Sequence, residues 1–315
     1  MMIVTITLNP AIDKTILVEH FVPNAVNRVL VSREDLGGKG INVAKILTKL
    51  DVPTVACGFI GRQNYSYVAQ FVDQENLATD FVLVDGVTRT NTKIVDLSSR
   101  LTTDVNEPGF KITQKEFNQL KTLIESIASE VTCVVFSGSL CQGLTLQQYG
   151  ELIKTAQKYT QVVVDAEKGA LNEALSHAPM LVKPNVSELA AYLNMEFESE
   201  SQLVQAAMQV LVESNTEMML LSHGSQGAYF ITNAMILKAE ALSVDVKSSV
   251  GAGDSMLAGF LSEYMQGRGC EEALKVASAC GALAVSQVGT QSFTKEEVMS
   301  LKDHVKITYL TRRCE

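Results

Sequence analysis

Residues 131–165 contain three segments that indicate the fold class: VTCVVF at residues 131–136, TLQQYGELIKTAQK at residues 145–158 and QVVVD at Gln161–Asp165. The first and last segments are short apolar runs without polar alternation, which is typical of strands buried on both faces of a parallel sheet. The middle segment repeats its apolar residues with the period of an amphipathic helix. The three segments together predict a strand, a helix and a second strand of one sheet.

The same alternation of strand and helix extends outward in both directions. The further strands are predicted at residues 3–8, 54–60, 218–221 and Ala228–Thr232, and the further helices at residues 41–50 and Tyr65–Gln74. Strands that alternate with helices along the chain predict an α/β fold, in which helices cover both faces of a mostly parallel sheet.

Two regions break this pattern. Residues 15–31 and 91–106 alternate polar and apolar side chains, contain turn residues and show no helical period. Each follows a core strand and precedes a core helix, so we expect two antiparallel flaps that meet as one small sheet above the crevice at the strand ends. Two unrelated surface hairpins are the alternative.

Composition and charge exclude several classes of function. The chain has 315 residues, 46% of them hydrophobic, and a formal net charge of −9, which argues against a nucleic-acid-binding surface. No segment has about 18 uninterrupted apolar residues and no basic leader precedes the first strand, so we expect no membrane association. Six cysteines without C-x-x-C spacing favour free thiols in the cytoplasm over disulfides or a zinc site.

A glycine-rich turn, Gly251-Ala252-Gly253-Asp254-Ser255, follows Ser249-Val250 and leads directly into an amphipathic helix. Backbone N–H groups and the helix dipole converge at such a turn and attract an anion. Asp254 would repel a phosphate held there unless it had its own task, and removing a proton from an attacking hydroxyl is such a task. An ordinary helix start with an acidic first turn is the alternative.

Three further polar clusters follow predicted strands. Gly37–Gly40 with Asn42 offers backbone donors and one cation at a helix start, although it lacks the spacing of a P-loop. Lys183-Pro184-Asn185 with Glu188 offers oxygen ligands suited to Mg²⁺, or alternatively a helix-capping pair. Residues 222–227, SHGSQG, allow close approach of a nucleotide, or form a simple β-turn.

Six motifs together resemble the phosphofructokinase B (ribokinase-like) family of carbohydrate kinases, in that family's order and over nearly the whole chain. The opening and the Gly-Gly-Lys-Gly motif resemble its hexose-phosphate branch. The resemblance implies a three-layer α/β/α sandwich formed by a single domain, residues 1–315, with a small β lid from about residues 12–34 and 88–110. The motifs are TLNPAID at 7–13, VNR at 26–28, GGKGINVA at 37–44, SGSL at 137–140, KPN at 183–185 with Glu188, and VGAGDS at 250–255.

Within this branch, TRTNTK at residues 88–93 followed by NEPG at 106–109 resembles the enzymes that act on fructose 1-phosphate. The resemblance implies that ATP, with Mg²⁺, phosphorylates the C6 hydroxyl of D-fructose 1-phosphate to give fructose 1,6-bisphosphate and ADP. Phosphorylation of tagatose 6-phosphate and a non-catalytic sugar-phosphate-binding regulator are the alternatives. A nicotinamide oxidoreductase is excluded, because no G-x-G-x-x-G follows the first strand.

The resemblance also assigns roles to individual residues. Asp254 would be the base, with the N–H groups of Gly251, Ala252 and Gly253 facing the transferring oxygens. The sugar would contact Asp13, Gly38, Lys39, Asn42 and Ser139, and its phosphate would contact Arg28, Lys39, Arg89 and Lys93. Mg²⁺ would lie by Asn185 and Glu188. The nucleotide would lie by Lys183, Asn185, Glu188, Ser222, Gly224, Gly227, Ser249, Val250, Ala277, Cys280 and Gly281.

The resemblance further implies a homodimer that pairs through the β lid. Two departures from the family pattern affect residues near the strand ends. Prolines that usually follow Ser-Gly-Ser-Leu are replaced by Cys141-Gln142, and the usual Asp-x-Ser-Gly reads Asp165-Ala166-Glu167-Lys168-Gly169.

Overall fold

The structure is a computed structural model that describes residues 1–248, 250–287 and 293–312. Within these residues the chain forms fourteen strands and ten α-helices. The strands are β1 Ile3–Thr7, β2 Ala11–Val18, β3 Val29–Gly37, β4 Thr54–Gly61, β5 Ala78–Val84, β6 Arg89–Asp96, β7 Thr102–Asn106, β8 Cys133–Ser137, β9 Gln161–Asp165, β10 Leu181–Val182, β11 Met218–Ser222, β12 Ala228–Thr232, β13 Met235–Ala239 and β14 Ile307–Arg312. The helices are α1 Lys39–Lys49, α2 Tyr65–Gln74, α3 Gln114–Ile127, α4 Leu146–Gln157, α5 Lys168–Leu175, α6 Val186–Leu193, α7 Glu200–Ser214, α8 Ala252–Tyr264, α9 Cys270–Val285 and α10 Lys295–Lys302.

The described strands form one large sheet and one small sheet. The large sheet has the order β14-β13-β12-β11-β10-β9-β8-β1-β4-β5, and its strands from β11 to β5 are parallel. Only β12, β13 and β14, at one edge, add to it in antiparallel fashion. The predicted mostly parallel sheet is therefore confirmed.

Side chains of the central strands point alternately into two hydrophobic cores. In β8, Val134 and Phe136 pack with α3, α4 and α7 on one face, while Cys133 and Val135 pack with α1, α8 and α9 on the other. Burial on both faces explains why this strand lacks polar alternation in the sequence. The predicted three-layer arrangement is confirmed.

The small sheet contains β3, β2, β6 and β7 in that order. Its two hairpins, β2–β3 and β6–β7, are antiparallel as predicted, but the hairpins join through a parallel pair, β2 and β6. The two flaps therefore meet as one small sheet, as expected, and the parallel pair between them was not predicted. Each hairpin leaves the large sheet from a parallel strand, β1 or β5, so the two leading strands run in the same direction.

None of the described helices is long and apolar enough to cross a lipid bilayer.

Candidate active site

A cavity of about 1280 Å³ lies between the small sheet and the carboxyl ends of the parallel strands. It is larger than most single-ligand pockets and has room for two substrates. Most of the predicted site residues line it. They are Asp13, Gly38, Lys39, Asn42, Arg89, Lys93, Ser139, Lys183, Asn185, Glu188, Ser222, Gly224, Gly227, Val250, Gly251, Ala252, Gly253, Asp254 and Gly281.

The start of helix α8, residues 251–254, forms a turn on the cavity wall whose geometry suits an anion, and it is called the anion-binding turn below. Gly251 has a left-handed backbone (φ 75°), a conformation that favours glycine, and its carbonyl accepts the N–H of Ser255 at 2.8 Å. The preceding first-turn N–H groups have no partner within the helix, so they are free to bind an anion. A Cβ on Gly253 would lie 3.1 Å from Nζ of Lys183, which places an ammonium group beside these donors.

Asp254 lies in this turn with only 6% of its surface exposed. Nδ2 of Asn42, from helix α1, donates a hydrogen bond of 2.8 Å to Oδ2 of Asp254. Burial raises the pKa of Asp254 to about 6; the nearby Asp165 carboxylate adds to the rise, while Asn42, Lys39 and Lys183 oppose it. A carboxyl group with this pKa can accept a proton near neutral pH, as a general base requires.

Asp165, a residue not singled out for the site from the sequence, lies completely buried at the end of β9. Its carboxylate accepts a hydrogen bond from Oγ of Ser137 at 3.2 Å and lies 3.4 Å from Nζ of Lys39 and 3.5 Å from Nζ of Lys183. Asp165 therefore fixes both ammonium groups of the site. The sequence could have identified Asp165, because it is a carboxylate at the end of an apolar strand and this type of fold binds ligands at strand ends.

Lys39 is the most heavily paired cation of the site. Its Nζ lies within 4 Å of Asp165, Glu167 and Glu188. Burial by itself lowers the pKa of Lys39, but the surrounding carboxylates, Asp165 first, outweigh burial and raise the pKa above its ordinary value. Lys39 therefore stays protonated and presents a permanent positive charge to the cavity.

Asn185 and Glu188 form a capping box at the start of helix α6. Oδ1 of Asn185 accepts the N–H of Glu188, and Oε2 of Glu188 accepts the N–H of Asn185, both at 2.8 Å. The capping alternative is thus present in the structure, and it leaves Oε1 of Glu188 facing the cavity, 3.9 Å from Nζ of Lys39.

The donor set around Lys39 fits a divalent cation shared with phosphates. Four carboxylates, those of Asp165, Glu167, Glu188 and Asp254, face two ammonium groups, so the site carries excess negative charge. In the described part of the chain, no three acidic, histidine or cysteine side chains converge as a complete metal cage. Mg²⁺ commonly takes one or two carboxylates and completes its shell with phosphate oxygens and water.

The opposite end of the cavity is polar and rests on the small sheet. Asp13 of β2 accepts a hydrogen bond from Nδ2 of Asn91 of β6 at 3.2 Å. Burial raises the pKa of Asp13, while Asn91, Arg89, Lys45 and Lys93 oppose the rise. A Cβ on Gly37 would overlap the Asp13 carboxylate, so this glycine is needed for Asp13 to occupy its place.

The two predicted phosphate cations of β6 are held differently. Nη1 and Nη2 of Arg89 donate to the carbonyls of Glu107 and Asn9, at 2.8 and 3.2 Å, and its buried Nε has no partner. Nζ of Lys93 lies 3.5 Å from the half-exposed carboxylate of Asp104. Both cations line the cavity.

The structure does not bring Arg28 to this cavity. Arg28 is exposed in the connection between β2 and β3, and it is absent from the residues that line the cavity in the same chain. The sequence motif placed Arg28 beside the substrate, but a β-hairpin carries the connection between its strands away from the strand ends that flank the cavity.

The nucleotide assignments on helix α9 need correction. Ala277 and Cys280 are completely buried, and a Cβ on Gly259 of helix α8 would lie 2.7 Å from Sγ of Cys280, so these residues pack between two helices. The structure therefore places neither residue on the cavity wall, because both face helix α8, and it does not support the expectation that they contact the nucleotide. The cavity is lined there by Ser278, Gly281, Ala282 and Val285 together with residues 240–244 and 246. Ser249 lies outside the described residues.

Comparison with known proteins gives consistent results. Residues 6–297 match the family described as pfkB family carbohydrate kinase. The chain is 37% identical over 291 residues to 1-phosphofructokinase of Haemophilus influenzae, covering 90% of this chain and 91% of that protein. It is 30% identical over 285 residues to tagatose-6-phosphate kinase of Staphylococcus epidermidis, covering 90% and 91%.

The fold is also similar to a solved structure of phosphofructokinase-2 from Escherichia coli in its tetrameric inhibited form. The TM-score is 0.88 with 27% sequence identity, and the match covers 96% of this chain and 98% of that one. The family match spans nearly the whole chain, and the anion-binding turn with its buried carboxyl group lies inside the matched region. The chain belongs to the pfkB family of carbohydrate kinases.

Proposed function

We propose that this protein transfers a phosphoryl group from ATP to the C6 hydroxyl of D-fructose 1-phosphate, giving D-fructose 1,6-bisphosphate and ADP. The observation that carries the proposal is the buried Asp254 carboxyl group inside an anion-binding turn, with the polar pocket of Asp13 and Asn91 in the same cavity. A kinase needs these two features together, a base beside the transferring phosphoryl group and a hydroxyl-binding pocket within reach.

Asp254 would accept the proton of the attacking hydroxyl. Its Oδ2 is held by Asn42, which leaves Oδ1 for the substrate. Phosphoryl transfer depends mainly on positioning and charge neutralisation, so the N–H groups of residues 251–253 and the Lys183 ammonium would contribute as much as proton removal.

ATP would lie between the turn of residues 222–227 and helix α9, with its γ-phosphate at the anion-binding turn. Gly227 holds this turn close to strand β13, because a Cβ there would overlap the carbonyl of Ala239, and Ser222, Gly224 and Gly227 line the same cavity as helix α9. Glu188, with Asn185, would hold Mg²⁺, whose charge offsets that of the β- and γ-phosphates when it is bound. Lys39, held by Asp165, would face the same oxygens.

Two asparagines, at positions where enzymes for fructose 1-phosphate and for tagatose 6-phosphate usually differ, favour fructose 1-phosphate as the substrate. Asn91 and Asn106 are directly paired across β6 and β7, and both line the cavity. Asn91 bonds to Asp13 and keeps a buried, unpartnered Oδ1 for a sugar hydroxyl. Arg89, Lys93 and Lys39 would bind the phosphate that the sugar already carries, and Ser139 would contact its hydroxyls.

We further propose that residues 1–315 form one kinase domain, that the small sheet acts as a lid, and that two chains pair through it. The outer part of this sheet and the β2–β3 connection expose several apolar side chains, and exposed apolar patches mark interaction sites. Arg28 belongs to the same exposed region, so its role at the phosphate would depend on the partner chain. The exposed apolar residues are Val26, Val29, Leu30, Val31, Leu101 and Val105.

A cytoplasmic location is part of the proposal. Cys57, Cys133, Cys141, Cys270 and Cys280 are free thiols, which suits a reducing compartment.

Tagatose 6-phosphate, phosphorylated at C1, is the second candidate substrate, because the chain is also 30% identical to a tagatose-6-phosphate kinase. A coupled ADP-release assay with fructose 1-phosphate, fructose 6-phosphate, tagatose 6-phosphate and ribose separates the candidates. We expect the highest kcat/KM with fructose 1-phosphate. A preference for tagatose 6-phosphate would replace the substrate assignment, and no ADP release with any sugar phosphate would favour the non-catalytic regulator.

A further inference from the structure

Glu167 occupies the N-cap of helix α5, where the family pattern Asp-x-Ser-Gly has serine. Serine at an N-cap usually accepts a hydrogen bond from the first turn of its helix. Glu167 makes no such bond. Five other helices of this chain do have a capping side chain, namely those of Thr113, Thr145, Asn185, Ser199 and Thr294.

The Glu167 side chain is instead directed at the cavity. Its Oε1 lies 3.7 Å from Nζ of Lys39, and 44% of the side chain remains exposed. Glu167 also belongs to the cavity wall. A residue that leaves its helix uncapped and faces a functional cation departs from the local structural preference, and such departures concentrate at functional sites.

The three carboxylates around Lys39 are not equivalent. Asp165 is completely buried and is also held by Ser137 and Lys183. Glu188 is fixed by its bond to the backbone of Asn185. In the described part of the chain, the Glu167 carboxylate has Lys39 as its ion-pair partner and no hydrogen bond to another group. Glu167 is therefore the carboxylate that an incoming anion can displace at least cost.

We propose that Glu167 weakens the binding of phosphate oxyanions, because it pairs with Lys39 in the free enzyme and competes with them for this ammonium group. The proposal rests on the proposed function in placing Lys39 beside phosphoryl oxygens. Glu167 acts through Lys39, so it is a positioning residue that sets ligand affinity. Serine at this position, as in the family pattern, would cap helix α5 and leave Lys39 less neutralised.

Glu167→Gln and Glu167→Ser test the proposal together. Both remove the charge, but only serine can restore the cap. Glu151→Gln is a matched control, because the Glu151 side chain is 46% exposed and paired with Lys121 outside the cavity wall. The measurement is calorimetric titration of ATP in EDTA, without divalent cation, at about 20 mM and about 500 mM salt.

At low salt, both Glu167 variants are expected to bind metal-free ATP about two- to fivefold more tightly than the wild type, as expected for a partly exposed ion pair. The difference should shrink at high salt, where such pairs are screened. Glu151→Gln should match the wild type. Glu167→Ser should also melt at a higher temperature than Glu167→Gln, because its helix regains a cap.

Unchanged affinity for metal-free ATP in both variants would overturn the proposal. It would also fall if only Glu167→Ser bound more tightly, since the cap and not the charge would then be the cause. A higher Mg²⁺ requirement without tighter metal-free binding would identify Glu167 as a metal ligand instead. Absence of fructose 1-phosphate turnover in the wild type would count against the proposed function alone, because the ATP titration uses no sugar.

Discussion

Asp254→Asn is expected to make the folded protein more stable at neutral pH. Asp254 is 6% exposed, and burial together with the Asp165 carboxylate raises its pKa from 3.8 to about 6. Because its pKa is higher in the folded than in the unfolded state, the folded state binds this proton more tightly. The stability that results is complete below pH 3.8 and is lost as the pH rises through about 6.

The size of the effect follows from the pKa. A difference of about two pKa units corresponds to about 3 kcal/mol, which is the cost of keeping Asp254 ionised in the folded protein above pH 6. Asparagine has nearly the same shape, carries no charge, and can still accept the hydrogen bond from Asn42. The variant should therefore gain up to about 3 kcal/mol at pH 7.5 and progressively less as the pH approaches 4.

Urea unfolding of the ligand-free protein at pH 7.5 and pH 4.5 measures this gain. Asp73→Asn, at an exposed position on helix α2, is the control for removal of a carboxyl group and should be about as stable as the wild type at pH 7.5. If Asp254→Asn proved equally or less stable than the wild type at pH 7.5, the carboxyl group would not be ionised and buried as described. A destabilised site of this kind is a common cost of catalytic function.

Three further variants test other parts of the site. Asp165→Asn should lower the pKa of the acidic limb of the pH profile of kcat/KM, because it removes a like charge near Asp254. It should also lower activity about tenfold or more, because Lys39 and Lys183 lose their shared ion-pair partner. An acidic limb at the same pH as in the wild type would contradict this. Gly253→Ala should raise KM for ATP in steady-state kinetics, since its Cβ lies 3.1 Å from Nζ of Lys183, and an unchanged KM would remove Lys183 from the anion-binding turn. Cys280→Ala should cost about 1–2 kcal/mol of stability in urea unfolding without changing KM for ATP; a raised KM would return this helix face to the nucleotide site.

Much of the fold could be predicted because burial leaves a strong pattern in the sequence. Helix α2 and strands β9 and β12 have the predicted bounds, and strand β8 begins two residues later and ends one residue later than predicted. The short strand β10, Leu181–Val182, carries too little pattern to be recognised, although Lys183 follows it directly. The parallel pairing of β2 with β6 depends on contacts between residues almost 80 positions apart, which local patterns do not encode.

The candidate site could be predicted where a sequence motif fixes the backbone. It was harder to predict where the orientation of a helix determines which side chains reach the cavity. The anion-binding turn could be predicted because glycine spacing and a following helix determine where its N–H groups point. On helix α9, small residues occupy both the packed face and the cavity face, so composition could not separate Ala277 from Gly281. Asp165 was missed because only the fold brings it to Lys39 and Lys183.

The kcat of Asp254→Asn with ATP and fructose 1-phosphate, measured beside its affinity for ATP, shows whether Asp254 is the base. Loss of a general base typically costs about 10²–10⁴-fold in rate, while the anion-binding turn and Lys183 remain in place to hold the nucleotide. We therefore expect kcat to fall by that factor, with ATP affinity within about threefold of the wild type. A variant that kept kcat within tenfold of the wild type would contradict the assignment of Asp254 as the base.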